Sequence, residues 1–208
     1  MLAKFEVPHN VHMIGLYSGT MSEDLAHLAP ARLVPVLRTP EGGVVGESLA
    51  IAETLAERHP DRPFWPADPA LRMRARWLCA EMASGFSALR SDCPMQLQHV
   101  NVGFSPSDAV RADLTRVEEI WSSAWQLAGT DDGWLLGQYS LADVFYAPVA
   151  ARVIGYDLPV SDTMRDYCMK TLSDPFFKSW RHTGLQKKYD PFPYPASTAT
   201  HPWPVEDI

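Results

Sequence analysis

The sequence predicts two architectures in series. A mixed α/β domain over residues 1–60 and an all-helical domain over residues 69–189 are joined by a linker at 61–68 and followed by a proline-rich arm at 190–208. Three observations predict this. The first sixty residues hold short apolar runs broken by turn residues, whereas the later segments repeat apolar residues every three or four positions over long stretches. Pro60, Pro63, Pro66 and Pro69 fall between the two patterns, which is linker composition. Ser140-Leu141-Ala142-Asp143 is an S-x-x-D capping box ahead of an apolar run, a helix start. It follows that no strand is expected between Asp68 and Arg181.

Taken in order, Val11 to Tyr17 (VHMIGLY) is rich in β-formers and reads as a strand. Ser22 to Leu28 is a short helix, closed by Pro30. Leu33 to Leu37 (LVPVL) reads as a buried strand, with Pro35 confining it to a strand start or an edge because proline has no N–H for a ladder. Glu41-Gly42-Gly43 is a turn and Val44-Val45 resumes a strand. Glu47-Ser48 precedes a helix from Leu49 to Arg58, which His59-Pro60 ends. Asp68 caps and Pro69 opens a long helix to about Arg90, with the apolar stripe Leu78, Met82, Phe86, Leu89 and Cys93. From Asp108 to Leu127 the residues Val110, Leu114, Val117, Trp121, Ala124 and Ala128 keep one buried face, and two such helices begin a bundle. Pro148 should kink the helix after the capping box. Asp162 to Leu172 and Pro175 to Arg181 are further helices. The arm carries Pro191, Pro193, Pro195, Pro202 and Pro204. It is expected to be extended and to order only where Phe192, Tyr194 and Trp203 find a surface.

Composition narrows the function. The chain has 208 residues, 46% hydrophobic and 21% charged, with a net charge of −7. That is globular usage and the wrong sign for a nucleic-acid backbone binder. No stretch reaches the roughly 18 apolar residues of a membrane helix, and Met1 to Asn10 hold no secretory h-region. Cys79, Cys93 and Cys168 are odd in number and widely spaced, which is neither a disulfide framework nor a zinc pattern. His9 and His12 are two histidines three apart, and no metal is expected there. The cysteines read as buried helix residues, and Trp77, Trp121 and Trp125 as core or dimer packing. A cytoplasmic protein is expected, without nucleic-acid or membrane partners.

Leu33-Val34-Pro35-Val36-Leu37, then Gly42, then Glu47-Ser48-Leu49-Ala50-Ile51 resembles the V-P-V-L … E-S-x-A-I signature of glutathione transferases. Ser140 to Asp143 resembles that family's second-domain capping box. Ala80-Glu81-Met82, Ser84-Gly85-Phe86 and Tyr146-Ala147-Pro148-Val149 are similar to a bacterial branch related to its maleylacetoacetate isomerase-like members. The resemblance covers about Leu16 to Trp180. It implies a thioredoxin-like first domain and an all-α second domain. It also implies a homodimer that uses glutathione as co-substrate and adds its thiolate to a small hydrophobic electrophile.

By the same resemblance, Val34 offers its backbone to the cysteinyl part of glutathione, like an added strand, and the peptide bond before Pro35 is cis. Glu47 pairs with the γ-glutamyl amine, and Ser48 meets the γ-glutamyl carboxylate at a helix start. Val34-Pro35 also fits an ordinary strand end, and Glu47-Ser48 a plain helix cap. Met82, Phe86, Arg90 and Met95 are candidates for the electrophile pocket.

The front of the chain departs from the family. Met1 to Phe5 reads as the tail of the first helix, so the first strand and the nucleophile-activating Ser, Tyr or Cys have no counterpart. Leu33 stands where many relatives carry a Lys, which Arg32 could replace. The catalytic residue is therefore unassigned, and this chain alone is expected to be weakly active or inactive. The alternative is a non-catalytic binding or interaction module that keeps the fold.

Overall fold

A computed structural model of the chain describes residues 1–129, 133–186 and 199–205. It divides into one unit formed by Met1–Phe64 and another formed by Trp65–Gln186 with residues 199–205.

In the first unit, residues 1–5 wind one helical turn, with the Phe5 N–H donating to the Met1 carbonyl at 3.1 Å. The turn closes as helices close. Glu6 takes φ 54, its N–H donates to Ala3 at 3.1 Å, and the Val7 N–H donates to Leu2 at 3.0 Å. A short helix α1 (Met21–Leu25) runs on as a 3₁₀ turn over Ala26–Leu28. Strands β1 (Val36–Arg38) and β2 (Val44–Gly46) pair antiparallel, and α2 (Ser48–Arg58) follows. Phe5, Val7, Leu25, Ile51, Ala52, Leu55 and Phe64 form the buried core. The Phe5 and Phe64 rings lie 4.4 Å apart.

Two expectations for this unit need correction. Val11 to Tyr17 is not a strand, and Val11, Met13, Leu16 and Tyr17 are exposed. A strand exists through its ladder, and no described strand lies alongside these residues. The run expected over Leu33–Leu37 begins only at Val36, after the proline that has no N–H, and Leu33 is 66% exposed rather than buried.

The second unit contains α3 (Pro69–Ser84), α4 (Ser87–Asp92), β3 (His99–Asn101), α5 (Asp108–Ala128), α6 (Leu141–Gly155), α7 (Asp162–Ser173), α8 (Pro175–Leu185) and β4 (Thr200–Pro202). Asp68 accepts from the N–H groups of Ala70 and Leu71 and so caps α3, with Pro69 in the first position. The single helix expected to reach Arg90 is broken at Gly85. Gly85 turns to extended φ −100, ψ −169, and Phe86 to φ 56, ψ 41. A side chain on Gly85 would place its Cβ 2.7 Å from the Glu81 carbonyl oxygen, so only glycine fits. Phe86 cannot cap α4, and Asp113 of α5 does so instead, accepting the Leu89 N–H at 2.9 Å. The apolar stripe survives the break, since Leu78, Met82, Phe86, Leu89 and Cys93 are all buried.

Helix α5 carries Val110, Leu114, Val117, Ile120, Trp121 and Ala124 into the core, and α6 runs through Pro148 without ending. Trp121 is fully buried and sits 4.5 Å from Tyr167 and 5.4 Å from Tyr146, ring centre to ring centre. Trp77 is 53% exposed and is not a core residue. Cys79, Cys93 and Cys168 are buried and free.

The β3–β4 pair contradicts the expectation of no strand between Asp68 and Arg181. His99 faces Pro202, Val100 faces His201 and Asn101 faces Thr200. Its partner comes from the proline-rich arm, about a hundred residues away in sequence, so local periodicity could not reveal it. Trp203 of the arm is buried, whereas Phe192 and Tyr194 lie outside the described residues.

At the head of α6 the capping box is formed. Ser140 Oγ accepts the Ala142 N–H at 3.3 Å, and the Ser140 N–H donates to Asp143 Oδ2 at 2.9 Å. Asp143 Oδ1 also accepts the Leu135 N–H at 3.0 Å and the Tyr167 hydroxyl at 3.1 Å. Asp143 is completely buried, and burial pushes its carboxyl up from 3.8 to about 6 against the pull of these donors. Asp143→Ala leaves those donors unpaired in the interior and should destabilise the protein by about 2–4 kcal/mol at pH 4. An acid whose folded pKa lies above its unfolded value contributes its stability below the unfolded value and loses it as pH rises through the folded one. The gap in urea midpoint between the native protein and the variant should therefore be widest near pH 4 and narrow up to about pH 6. Equal midpoints at all pH values would contradict the capping role.

Candidate functional site

The site predicted from sequence falls at one end of the β1–β2 hairpin. At the turn end, the Thr39 N–H donates to Gly43 at 2.8 Å, and Arg58 of α2 donates to Glu41 at 2.8 Å. That guanidinium, with backbone and Thr39 hydrogen bonds, holds the Glu41 carboxyl down at about 2. This anchors α2 to the hairpin. At the open end the last pair is Val36 with Gly46. Val34-Pro35 and Glu47-Ser48 therefore flank the same rung of the ladder, one entering β1 and the other leaving β2. All four residues are exposed. The structure brings them together.

Their local geometry is unusual in three respects. The Val34–Pro35 peptide bond is cis. The backbone of Val34 makes no hydrogen bond to the described residues. Glu47 is held at φ 61, ψ 125, a conformation that side-chain-bearing residues rarely adopt, and its carboxylate caps nothing. Its carbonyl accepts the Ile51 N–H at 2.9 Å, so the N–H groups of Ser48, Leu49 and Ala50 remain the uncapped first turn of α2.

Such a helix start carries partial positive charge and free donors and suits a carboxylate. The Glu47 carboxylate beside it suits an ammonium group. A free extended backbone at Val34 suits a peptide laid in β fashion. Together the three match an extended peptide that ends in an α-amino acid head. The motif spacing made Glu47 and Ser48 legible in the sequence. The N–H groups of Leu49 and Ala50 were not, because they act through the backbone and leave no side-chain signal.

The four pocket candidates differ in exposure. Met82 and Phe86 are buried, and Phe86 packs edge-on to Tyr146 at 6.3 Å. Arg90 is exposed and donates to the Ala83 carbonyl at 3.2 Å, and Met95 is half-buried. Cysteine chemistry is unfavourable in the second unit. Burial pushes the Cys93 thiol up to about 12 and raises that of Cys168. Both stay protonated at neutral pH, and it is the thiolate that reacts.

The fold is a thioredoxin-like α/β domain joined to a mainly helical domain. Solved structures share it. A glutathione transferase homologue from Burkholderia with bound glutathione matches with a TM-score of 0.63 and 22% identity, over 90% of this chain and 88% of that one. A glutathione S-transferase from Rhodospirillum rubrum matches with a TM-score of 0.63 and 20% identity, over 97% of this chain and 88% of that one. Residues 1–58 match the family described as the N-terminal domain of glutathione S-transferase.

Among curated proteins, a probable maleylacetoacetate isomerase of Caenorhabditis elegans is 38% identical over 96 residues, 46% of this chain and 44% of that protein. Maleylacetoacetate isomerase of Rattus norvegicus is 30% identical over 142 residues, 67% of this chain and 62% of that protein. The chain thus matches less than two thirds of the length of these relatives. In sequence it is similar to glutathione S-transferases over residues 1–58, and in fold it matches them over most of its length.

The backbone of Glu47 gives a test that needs no ligand. Glycine adopts φ 61 freely, so Glu47→Gly should leave stability unchanged or raise it by up to about 1 kcal/mol, despite its entropy cost in the unfolded chain. Urea denaturation measures this. A fall of more than about 1 kcal/mol would mean that the Glu47 side chain stabilises the fold and is not held for a ligand.

Proposed function

We propose that the chain binds glutathione and presents its thiol to a small hydrophobic electrophile. The observation that carries the reading is the pairing of an exposed, strained Glu47 with the uncapped start of α2, beside the free backbone of Val34. In this reading Val34 pairs with the cysteinyl backbone. Glu47 takes the γ-glutamyl ammonium, and Ser48 with the first-turn N–H groups takes its carboxylate. Pro35 ends the ladder, which leaves Val34 free. The glutathione bound in the Burkholderia homologue supports this choice of ligand.

The chemistry is thiolate addition. The thiol loses its proton to solvent, and the sulfur bonds to the electrophile as a π bond opens in an addition or a leaving group such as chloride departs in a substitution. A hydrogen bond donated to sulfur would favour the proton loss. No residue is assigned as the donor. Of the four pocket candidates, Arg90 and Met95 reach the surface. A homodimer in the cytoplasm completes the reading. Met73 and Trp77, 71% and 53% exposed on α3, offer a face for self-association. No helix among the described residues is long and apolar enough to cross a membrane.

The second reading is a binding module without turnover. It is favoured because no described residue beside Val34, Glu47 and Ser48 is assigned to donate a hydrogen bond to the sulfur.

Calorimetric titration with glutathione should show saturable binding. Glu47→Ala removes a charge-assisted contact of roughly 1.5–3 kcal/mol, so affinity should fall about tenfold to a hundredfold. Absence of binding by the native chain would overturn the first reading. A conjugation assay with an aromatic chloride on the same protein separates the two, because binding without conjugation selects the module.

A further inference from the structure

The stretch from Cys93 to Asn101 is largely irregular, yet side chains from other elements hold it at many points. The Cys93 carbonyl accepts from Arg152 Nε at 2.9 Å, and the Pro94 carbonyl accepts from the Tyr156 hydroxyl at 2.7 Å. The Leu97 carbonyl accepts from Arg181 Nε at 2.7 Å, and that of His99 from Gln96 Nε2 at 2.6 Å. Its last three residues are β3, which forms a groove with the end of α6 and with α8.

The C-terminal segment fills this groove. Thr200–Pro202 pairs with β3, and the Val102 N–H donates to the Ala199 carbonyl at 3.0 Å. A pair of three-residue strands does not sustain itself, so buried side chains that follow, Trp203 and Val205, add to the hold. Trp203 is 9% exposed, with the Arg181 guanidinium 5.1 Å above its ring. Gly155 lies beside it, where a Cβ would stand 3.6 Å from the ring. The Gly155 carbonyl accepts from Asn101 Nδ2 at 3.2 Å, which ties β3 to the end of α6. Each wall of the groove thus has its own attachment to the helical unit. The strand supplies a ladder, and Gly155 with Arg181 supplies an aromatic seat.

We propose that this groove is a peptide-binding site for an extended segment with one aromatic anchor, and that the chain occupies it in cis with residues 199–205. Strand addition supplies the backbone affinity, and the seat under Arg181 selects the aromatic residue. Pro202 and Pro204 fit such a ligand, since an edge strand tolerates proline. The occupied site also orders the Gln96–Val102 loop, which adjoins Met95. The proposal is independent of glutathione binding in the first unit.

The test uses the chain lacking residues 199–208 and a labelled synthetic peptide of that sequence. Fluorescence anisotropy should show one-to-one binding to the shortened chain and none to the full chain, whose groove is filled. A Trp203→Ala peptide should bind at least about tenfold more weakly, as loss of a buried aromatic anchor requires. Added peptide should also slow proteolysis of the 96–102 loop. No binding to the folded shortened chain, or equal binding to both chains, would overturn the proposal. Should the shortened chain fail to fold, Trp203→Ala in the full chain decides. Faster cleavage of the 96–102 loop supports the proposal, and an unchanged rate overturns it.

Discussion

The Asp143 carboxylate is approached by the Leu135 N–H, the Ser140 N–H and the Tyr167 hydroxyl, all buried. Those donors come from the segment before α6, the start of α6 and the middle of α7. One acidic side chain therefore sets where α6 begins and how α7 lies against it. The aromatic group of Trp121, Tyr146 and Tyr167 packs around the same point and brings α5 into the arrangement. The other helix ends are treated more simply. Asp68 and Ser107 cap α3 and α5 locally, and Asp174 caps α8 by accepting the Phe176 N–H. Burial raises the Asp143 carboxyl to about 6. The network that organises the helices is thus also the one most exposed to a change of charge state.

The first unit follows a different logic. Its core is small, and its hairpin has only three paired rungs. Arg58–Glu41 and Arg62–Glu6 close it at the surface, where ion pairs contribute little. Against that modest stability it maintains Glu47 at a positive φ and leaves the first turn of α2 uncapped. Both features lower stability, and both sit on the same rung of the hairpin as the free Val34 backbone. Strain gathered beside the free first-turn N–H groups, an exposed carboxylate and an open strand edge is what the proposed glutathione site rests on.

The loop and tail of the second unit show a third way to hold irregular chain. The Cys93–Asn101 stretch lies between helices without joining one, and its carbonyls are held one at a time by Arg152, Tyr156, Arg181 and Gln96. Arg181 serves twice, binding the Leu97 carbonyl and lying over the Trp203 ring. That double use couples the loop to the tail.

Local rules accounted for what they govern. The periods of α3 and α5, the Asp68–Pro69 start and the Ser140–Asp143 box were readable because each depends on residues within a few positions of one another. Glu47, Ser48, Val34 and Pro35 were readable through their motif spacing, and the hairpin register explains that spacing by setting the two pairs on one rung. The sequence could not determine the break at Gly85, which is set by the approach of the Glu81 carbonyl and completed by Asp113 from another helix. Nor could it deny a strand to Val11–Tyr17, because a β-rich run becomes a strand only when another strand lies beside it. The β3–β4 pair was hidden for the converse reason, since three unremarkable residues became a strand when the arm reached them. Backbone pairing between distant segments is decided by tertiary structure, because a peptide group carries no side-chain identity from which its partner could be read.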